Sequence, residues 1–266
     1  MMAQTQTETE STSVLEVRGL TQRFGGLTAV NDFNVKLMPG KMNGLIGPNG
    51  AGKTTIFNLV SGFYQPTEGQ ILVGDKPTAG LKPHKVTALG VARTFQNIRL
   101  WNDMTVLDNI RIAQHYWLDY GFFHSVIRTK HYKRREAEIE QEAYELLEVF
   151  DLIDFAQELP KNLPYGTQRK LEIARALSTH PKLLLLDEPA AGLNSADVKD
   201  LIRLVRWIYE KFDITIWMIE HHMDVVMELC SHIKVIDFGQ TIAEGTPDEI
   251  RNHPAVITAY LGDDII

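Results

Sequence analysis

The stretch Gly47-Pro-Asn-Gly-Ala-Gly-Lys-Thr-Thr55 concentrates glycines, a lysine and two hydroxyls in a pattern suited to holding phosphate. Residues 47 to 54 fit G-x-x-x-x-G-K-[ST], a spacing in which the chain wraps an anion and aims successive backbone N–H groups inward. Gly50 and Gly52 carry no Cβ to block that approach. Lys53 is placed as a point charge on the β- and γ-phosphates and Thr54 as a hydroxyl ligand for Mg²⁺. A helix starting near Lys53 turns its positive end toward the anion. With Pro48, Asn49, Ala51 and Thr55 completing the loop, the segment is set up to hold a triphosphate by its tail.

A second stretch, Leu183-Leu-Leu-Leu-Asp-Glu-Pro189, runs four leucines straight into two acids. An apolar run ending in carboxylates suits a central parallel strand, buried on both faces, that delivers acids to the carboxyl edge of a sheet. Asp187 can then reach a phosphate-bound Mg²⁺ directly or through water. Glu188 can polarise a water for in-line attack on a γ-phosphate. His221 follows another apolar run, Ile214-Thr-Ile-Trp-Met-Ile-Glu220, where an imidazole could hydrogen-bond the same phosphate; His222 beside it competes for the role.

The elements around these residues must bring them together. Met42-Asn-Gly-Leu-Ile46 predicts a short buried strand before the phosphate loop, and residues 55–60 a helix after it. Leu171, Ala174 and Leu177 mark one face of a helix, as do Ile139, Ala143, Leu146, Leu147 and Phe150 on a charged segment. Ile233-Lys-Val-Ile-Asp237 and Thr241-Ile-Ala-Glu244 predict a hairpin turning at Gly239. Thr246-Pro-Asp-Glu249 predicts a capped helix start. Residues 1–13 read as a polar, disordered leader.

Composition narrows the class. A chain of 266 residues, 44% of them hydrophobic, can bury a substantial core as one large or two linked subdomains. The single cysteine, Cys230, allows no internal disulfide and suits a reducing compartment. A net charge of −7 with no basic face disfavours nucleic acid. No apolar run approaches the roughly 18 residues of a membrane span, and the first residues have neither a basic start nor an apolar core. Membrane contact is therefore expected through partners.

In their order and spacing, the phosphate loop, Gln96, Leu163-Pro-Tyr-Gly-Thr-Gln168 and the Asp187-Glu188 strand resemble the ATP-binding subunits of ABC transporters, from about Val14 onward. The resemblance implies an α/β fold: an ABC-type P-loop NTPase with a RecA-like mixed-sheet core and a helical subdomain. It divides the chain into the leader 1–13, a nucleotide-binding core over 14–96 and 179–245, a helical subdomain over 97–178 carrying the signature loop, and a C-terminal helix over 246–266. ATP and Mg²⁺ are the implied cofactors.

The resemblance also assigns residues. Gln96 stands where the family's glutamine joins Mg²⁺ and attacking water to the membrane-contacting subdomain, as a metal and catalytic residue beside Glu188. His221 takes the switch histidine's place directly after its strand. Phe24 matches the aromatic that stacks on adenine, with a packed core phenylalanine as the alternative. Residues 163–168 occupy the signature loop, which presents a helix N-terminus to the nucleotide of an opposing subunit. Here Pro164 replaces the usual serine and offers neither hydroxyl nor N–H, Tyr165 replaces the first glycine, and Gly166 is left to contact the phosphate through its backbone. Asn194 closes the following dimer-spanning loop where the family has aspartate.

Gly25-Gly-Leu-Thr-Ala-Val30, Val91-Ala-Arg-Thr-Phe-Gln-Asn97, Asp187-Glu-Pro-Ala-Ala-Gly-Leu193 and Ala259-Tyr-Leu-Gly262 are similar to the ATPases of bacterial branched-chain amino acid uptake systems. That likeness implies two different ATPase subunits, or a homodimer in isolation, with two integral membrane permeases and an external substrate-binding protein. It places the chain peripherally at the cytoplasmic face of the bacterial inner membrane. Related urea, amide or lipopolysaccharide transporters, and non-transport ABC ATPases, are the alternatives. The aromatics Tyr116, Trp117, Tyr120, Phe122 and Phe123, in an insertion over 115–131, either dock a membrane subunit or form a local hydrophobic cluster.

Overall fold

The computed structural model describes residues 13–115 and 129–261. The leader expected over 1–13 therefore lies outside the described residues but for its last position. The insertion's aromatics lie wholly outside them, as does the end of the Ala259-Tyr-Leu-Gly262 motif.

Two sheets organise the chain. The first is antiparallel, with the order β2-β1-β4-β5, from β1 (Leu15–Phe24), β2 (Leu27–Leu37), β4 (Glu68–Val73) and β5 (Lys76–Pro77). The second has the order β10-β9-β3-β8-β7-β6. Its strands are β3 (Met42–Ile46), β6 (Val91–Arg93), β7 (Leu183–Asp187), β8 (Thr215–Ile219), β9 (His232–Asp237) and β10 (Gln240–Gly245). Strands β9, β3, β8, β7 and β6 run parallel, and β10 returns antiparallel at one edge. A mixed sheet of this kind is what the resemblance implies for the core.

The leucine run of β7 shows why the central strands read as continuous apolar stretches. Leu184 and Leu186 enter one buried cluster, while Leu183 and Leu185 enter the other. On β8, Ile216 and Met218 face the first cluster and Trp217 and Ile219 the second. Alternating side chains thus find apolar partners on both faces, which keeps Leu183–Leu186 and Ile216–Ile219 apolar throughout. On the second face Trp217 packs against Phe57, ring centroids 5.0 Å apart, and stacks on Phe33 at 6.4 Å. Phe57 belongs to helix α1 (Lys53–Val60) and Phe33 to β2. The antiparallel sheet and α1 are thereby clamped onto the central sheet.

On the other face lie α3 (Val106–Gln114), α4 (Lys130–Val149), α5 (Tyr165–Leu177), α6 (Ser195–Lys211) and α7 (Met223–Leu229); α2 (Pro83–Ala88) precedes β6. Ile139, Ala143, Leu147 and Phe150 are buried, with Leu146 partly so. Leu171, Ala174 and Leu177 are buried on α5. All of these but Ile139 belong to or pack against one continuous cluster with Leu184 and Leu186, so the helical block rests directly on the central sheet. The hairpin turns at Phe238 and Gly239, both at positive φ. The capping box at Thr246 and Glu249 forms, but α8 (Pro247–Arg251) stops before α9 (Pro254–Leu261). Proline at 254 opens the second helix where continuing the first would clash.

Candidate active site

Strand β3 delivers the phosphate loop to the carboxyl edge of the central sheet, and the loop's glycines serve two different ends. A Cβ on Gly47 would lie 2.0 Å from the Ile236 carbonyl oxygen, and one on Gly52 2.5 Å from that of Ala29. At Gly50, where φ is 81°, a Cβ would meet nothing within 4 Å. Gly52 is therefore required by close packing against β2 as well as by its φ of 105°, whereas Gly50 leaves open space for an approaching ligand. At Gly52 a packing constraint adds to the reason expected for both glycines, and at Gly50 no such constraint competes with it. Gly52 is also the N-cap of α1 and supplies no capping side chain, leaving first-turn N–H groups for an anion.

Lys53 folds back across the loop, its Nζ donating to the carbonyl oxygens of Gly47 at 2.7 Å and Pro48 at 2.9 Å. Burial lowers the pKa of this ammonium, and the nearby Glu188 and Asp187 carboxylates oppose the shift. Thr54 is exposed and Thr55 half-buried. Phe24 is 43% exposed and meets Tyr64 edge-on at 5.5 Å. It is thus a surface aromatic, and the packed-core alternative is ruled out.

Three strand ends converge beside the loop. Glu188 follows β7 at a φ of 49°, an uncommon conformation for a side chain of its size, pinned by its own N–H to the Ile219 carbonyl at 2.9 Å. Gln96 Nε2 donates to Glu188 Oε2 at 2.6 Å, and His221 Nε2 lies 2.6 Å from Glu188 Oε1. Both carboxylate oxygens are thus held by the two residues expected to work with it, drawn from 92 positions upstream and 33 downstream. His222 is turned instead toward Glu220, with 3.4 Å between Nδ1 and Oε2. Asp187 is almost fully buried; its Oδ2 accepts from Arg93 Nη2 at 2.7 Å, and its Oδ1 has no hydrogen-bond partner. Burial raises the pKa of Asp187 and adjacent Glu188 adds to the rise, while Arg93 opposes both.

That orphaned Oδ1, with the exposed Thr54 hydroxyl and the Gln96 amide, is an oxygen donor set fit for a hard divalent cation completed by phosphate and water. Among the described residues no three His, Cys, Asp or Glu side chains cluster as a metal site. A cation carried in on phosphates needs only one or two protein carboxylates.

Glu220 and Arg93 are among the charged residues that escaped the sequence reading. Glu220 is 1% exposed. Its Oε1 accepts from Ala190 N at 2.6 Å and its Oε2 from the N–H groups of His221 at 2.9 Å and His222 at 3.2 Å. One carboxylate thereby ties the loop after Glu188 to the loop carrying His221. The available signal was an acid closing an otherwise apolar strand directly before the histidine. Arg93 closes β6 in the same way, and its partner became visible only once β6 and β7 were known to be neighbours.

Residues 163–168 are organised differently. Pro164 is the N-cap of α5 and provides no side-chain cap. Tyr165, in place of glycine, lies 3.3 Å through its hydroxyl from the Ala191 carbonyl and receives a bond from Arg169 at 3.1 Å. Arg169 and Glu172, both 1% exposed, grip the backbone around Gln96. Arg169 donates to the Phe95 carbonyl at 2.7 Å and the Gln96 carbonyl at 2.9 Å, and Glu172 accepts from Phe95 N at 3.2 Å. Gly166 faces the Asp197 carboxylate, with room for a Cβ at 3.6 Å. Asn194 caps α6 locally, accepting from Ala196 N at 2.9 Å and Asp197 N at 3.0 Å.

Comparison with known proteins agrees with this arrangement. The family model described as "ABC transporter" matches residues 30–191, and one described as "Branched-chain amino acid ATP-binding cassette transporter" matches residues 240–265. The chain is 47% identical to the high-affinity branched-chain amino acid transport ATP-binding protein BraF of Pseudomonas aeruginosa, over 95% of this chain and 99% of that one. It is 46% identical to LivG of Escherichia coli, of the same description, with the same coverage. Among solved structures, a nucleotide-free ATP-binding cassette from an ABC transporter superposes with a TM-score of 0.81 at 30% identity, over 94% of this chain and all of that one.

Proposed function

The chain belongs to the ATP-binding proteins of ABC transporters, and we propose that in this role it powers uptake of branched-chain amino acids, peripherally bound at the cytoplasmic face of the bacterial inner membrane. The observation that carries the substrate is the near-full-length likeness to BraF and LivG, joined by the branched-chain family match over residues 240–265. The ATPase itself never touches the amino acid, so no site residue speaks to it. No helix among the described residues is long and apolar enough to cross a membrane.

In this reading the backbone N–H groups of residues 47–54 and Lys53 bind the nucleotide's phosphates, and Phe24 stacks on its adenine. Asp187, Thr54 and Gln96 hold Mg²⁺, which neutralises charge developing on the transferred phosphoryl group. Glu188 accepts a proton from the attacking water, while Gln96 and His221 fix the direction of its carboxylate. Gly166 and the free N-terminus of α5 bind the γ-phosphate held by a second ATPase subunit. Closure of that pair across two nucleotides is the step passed to two permeases, which receive substrate from an external binding protein.

The test is recovery of the tagged chain from gently solubilised membranes, with uptake measured in cells lacking its gene. Two multispanning permeases, a second ATPase and lost leucine uptake are expected. Permeases with normal leucine uptake would overturn the substrate, and ribosomes or nucleic acid in their place would overturn transport.

A further inference from the structure

Arg93 is bound at both terminal nitrogens, its Nε being buried without a hydrogen-bond partner, although it belongs to no catalytic motif. Its Nη2 donates to Asp187 Oδ2 at 2.7 Å; its Nη1 donates to Asn58 Oδ1 at 2.8 Å and Ser61 Oγ at 2.9 Å. The Ser61 hydroxyl is fixed in turn by the Phe57 carbonyl oxygen. The guanidinium carbon sits 4.8 Å from the Phe95 ring centre, with the Phe57 and Phe63 rings at 5.7 and 6.0 Å. Only 5% of the side chain is exposed. A planar fork held by two residues of α1 and its C-terminus, and caged by aromatic faces, cannot follow Asp187 if that carboxylate turns.

The consequence falls on Asp187. With Oδ2 occupied, the carboxylate has one oxygen left, and that oxygen is buried without a partner. We propose that Arg93 is a positioning residue for the divalent cation: its fork locks the rotamer of Asp187 so that Oδ1 alone is presented to the metal or to a water bound to it. Outer partners that orient ligating carboxylates act in this way in other metal sites. A mere stabilising pair is a poorer account, because buried ion pairs are commonly matched by apolar residues of similar volume. The inference rests on Asp187 being the metal-facing acid, as proposed above.

The test measures Mn²⁺ binding by electron paramagnetic resonance to the full chain carrying a non-hydrolysable ATP analogue. Analogue affinity without divalent ion and thermal unfolding are followed alongside. Removing an outer partner costs about 10- to 100-fold in metal affinity, so Arg93→Met should weaken Mn²⁺ by that factor while metal-free analogue affinity stays level. Arg93→Lys, which keeps the charge but cannot fork to Asn58 and Ser61, should recover part of the loss. Unchanged Mn²⁺ affinity in a folded Arg93→Met chain overturns the proposal. If that variant fails to fold, the Asn58→Ala/Ser61→Ala pair carries the test: weakened Mn²⁺ supports the proposal and unchanged Mn²⁺ overturns it. Asp187→Asn separates the two levels. If it leaves Mn²⁺ affinity unchanged, the role of Asp187 fails and this inference with it. If it weakens Mn²⁺ while Arg93→Met does not, only the inference falls.

Discussion

The sheet edge around Glu188 and the helix end around Gly166 both carry residues of the proposed site, yet they are built in opposite ways. At the sheet edge the acids are already engaged within the chain: Glu188 by Gln96 and His221, Asp187 by Arg93, and Glu220 by the backbone of the two loops it ties. At the helix end Arg169, Glu172 and Tyr165 bond to the backbone at Phe95, Gln96 and Ala191, and Gln168 Nε2 donates to the Leu163 carbonyl. The N-terminus of α5 itself receives no capping side chain. A group that must do chemistry is preorganised at the cost of satisfying its polar atoms internally. A helix end meant for another molecule's anion keeps its donors free.

The contrast can be broken from either side. Glu188→Gln keeps the shape and the Gln96 contact but removes the base. ATP turnover in the assembled transporter should fall by about 10²- to 10⁴-fold, with ATP affinity, read by equilibrium binding, little changed. Glu220→Gln should act on both loops at once. Trading a buried charged acceptor for a neutral amide should cost about 1–3 kcal/mol, read as a lower chemical-denaturation midpoint together with a reduced kcat at unchanged ATP affinity. Gly52→Ala should destabilise the fold by about 1–3 kcal/mol through the clash with the Ala29 carbonyl, whereas Gly50→Ala should leave the denaturation midpoint nearer that of the parent chain. Pro164→Ser should have the smallest effect. It restores one hydrogen-bonding group worth about 0.5–1.5 kcal/mol, so turnover should rise by no more than about tenfold.

The contrast extends to what could be read before the fold was known. The phosphate loop is local: glycine, lysine and hydroxyl spacings determine its shape within a few residues, and its flanking strand, Met42–Ile46, was legible from a mostly apolar run that takes in Asn43. Glu188 and His221 were legible because each ends such a run. Arg93, Glu220, Arg169 and Glu172 were not, since their meaning lies in strand order. Arg93 meets Asp187 only because β6 pairs with β7, and Glu220 reaches Ala190 only because β7 pairs with β8. The antiparallel sheet was also missed as a separate layer, because the register shifts in β1 and β2 interrupt their alternation. Asn194 illustrates a residue read for an interface whose side chain is already committed to capping α6.

The central claim is that the start of α5 serves a nucleotide on another subunit. Amide hydrogen exchange of residues 165–168 measures this directly. It should be recorded with Mg·ATP for the dilute monomeric chain and for the Glu188→Gln chain paired with its partner ATPase. Protection of these amides in the pair alone is the predicted result. Equal protection in the monomer would mean that the helix end serves its own nucleotide, and would contradict the account.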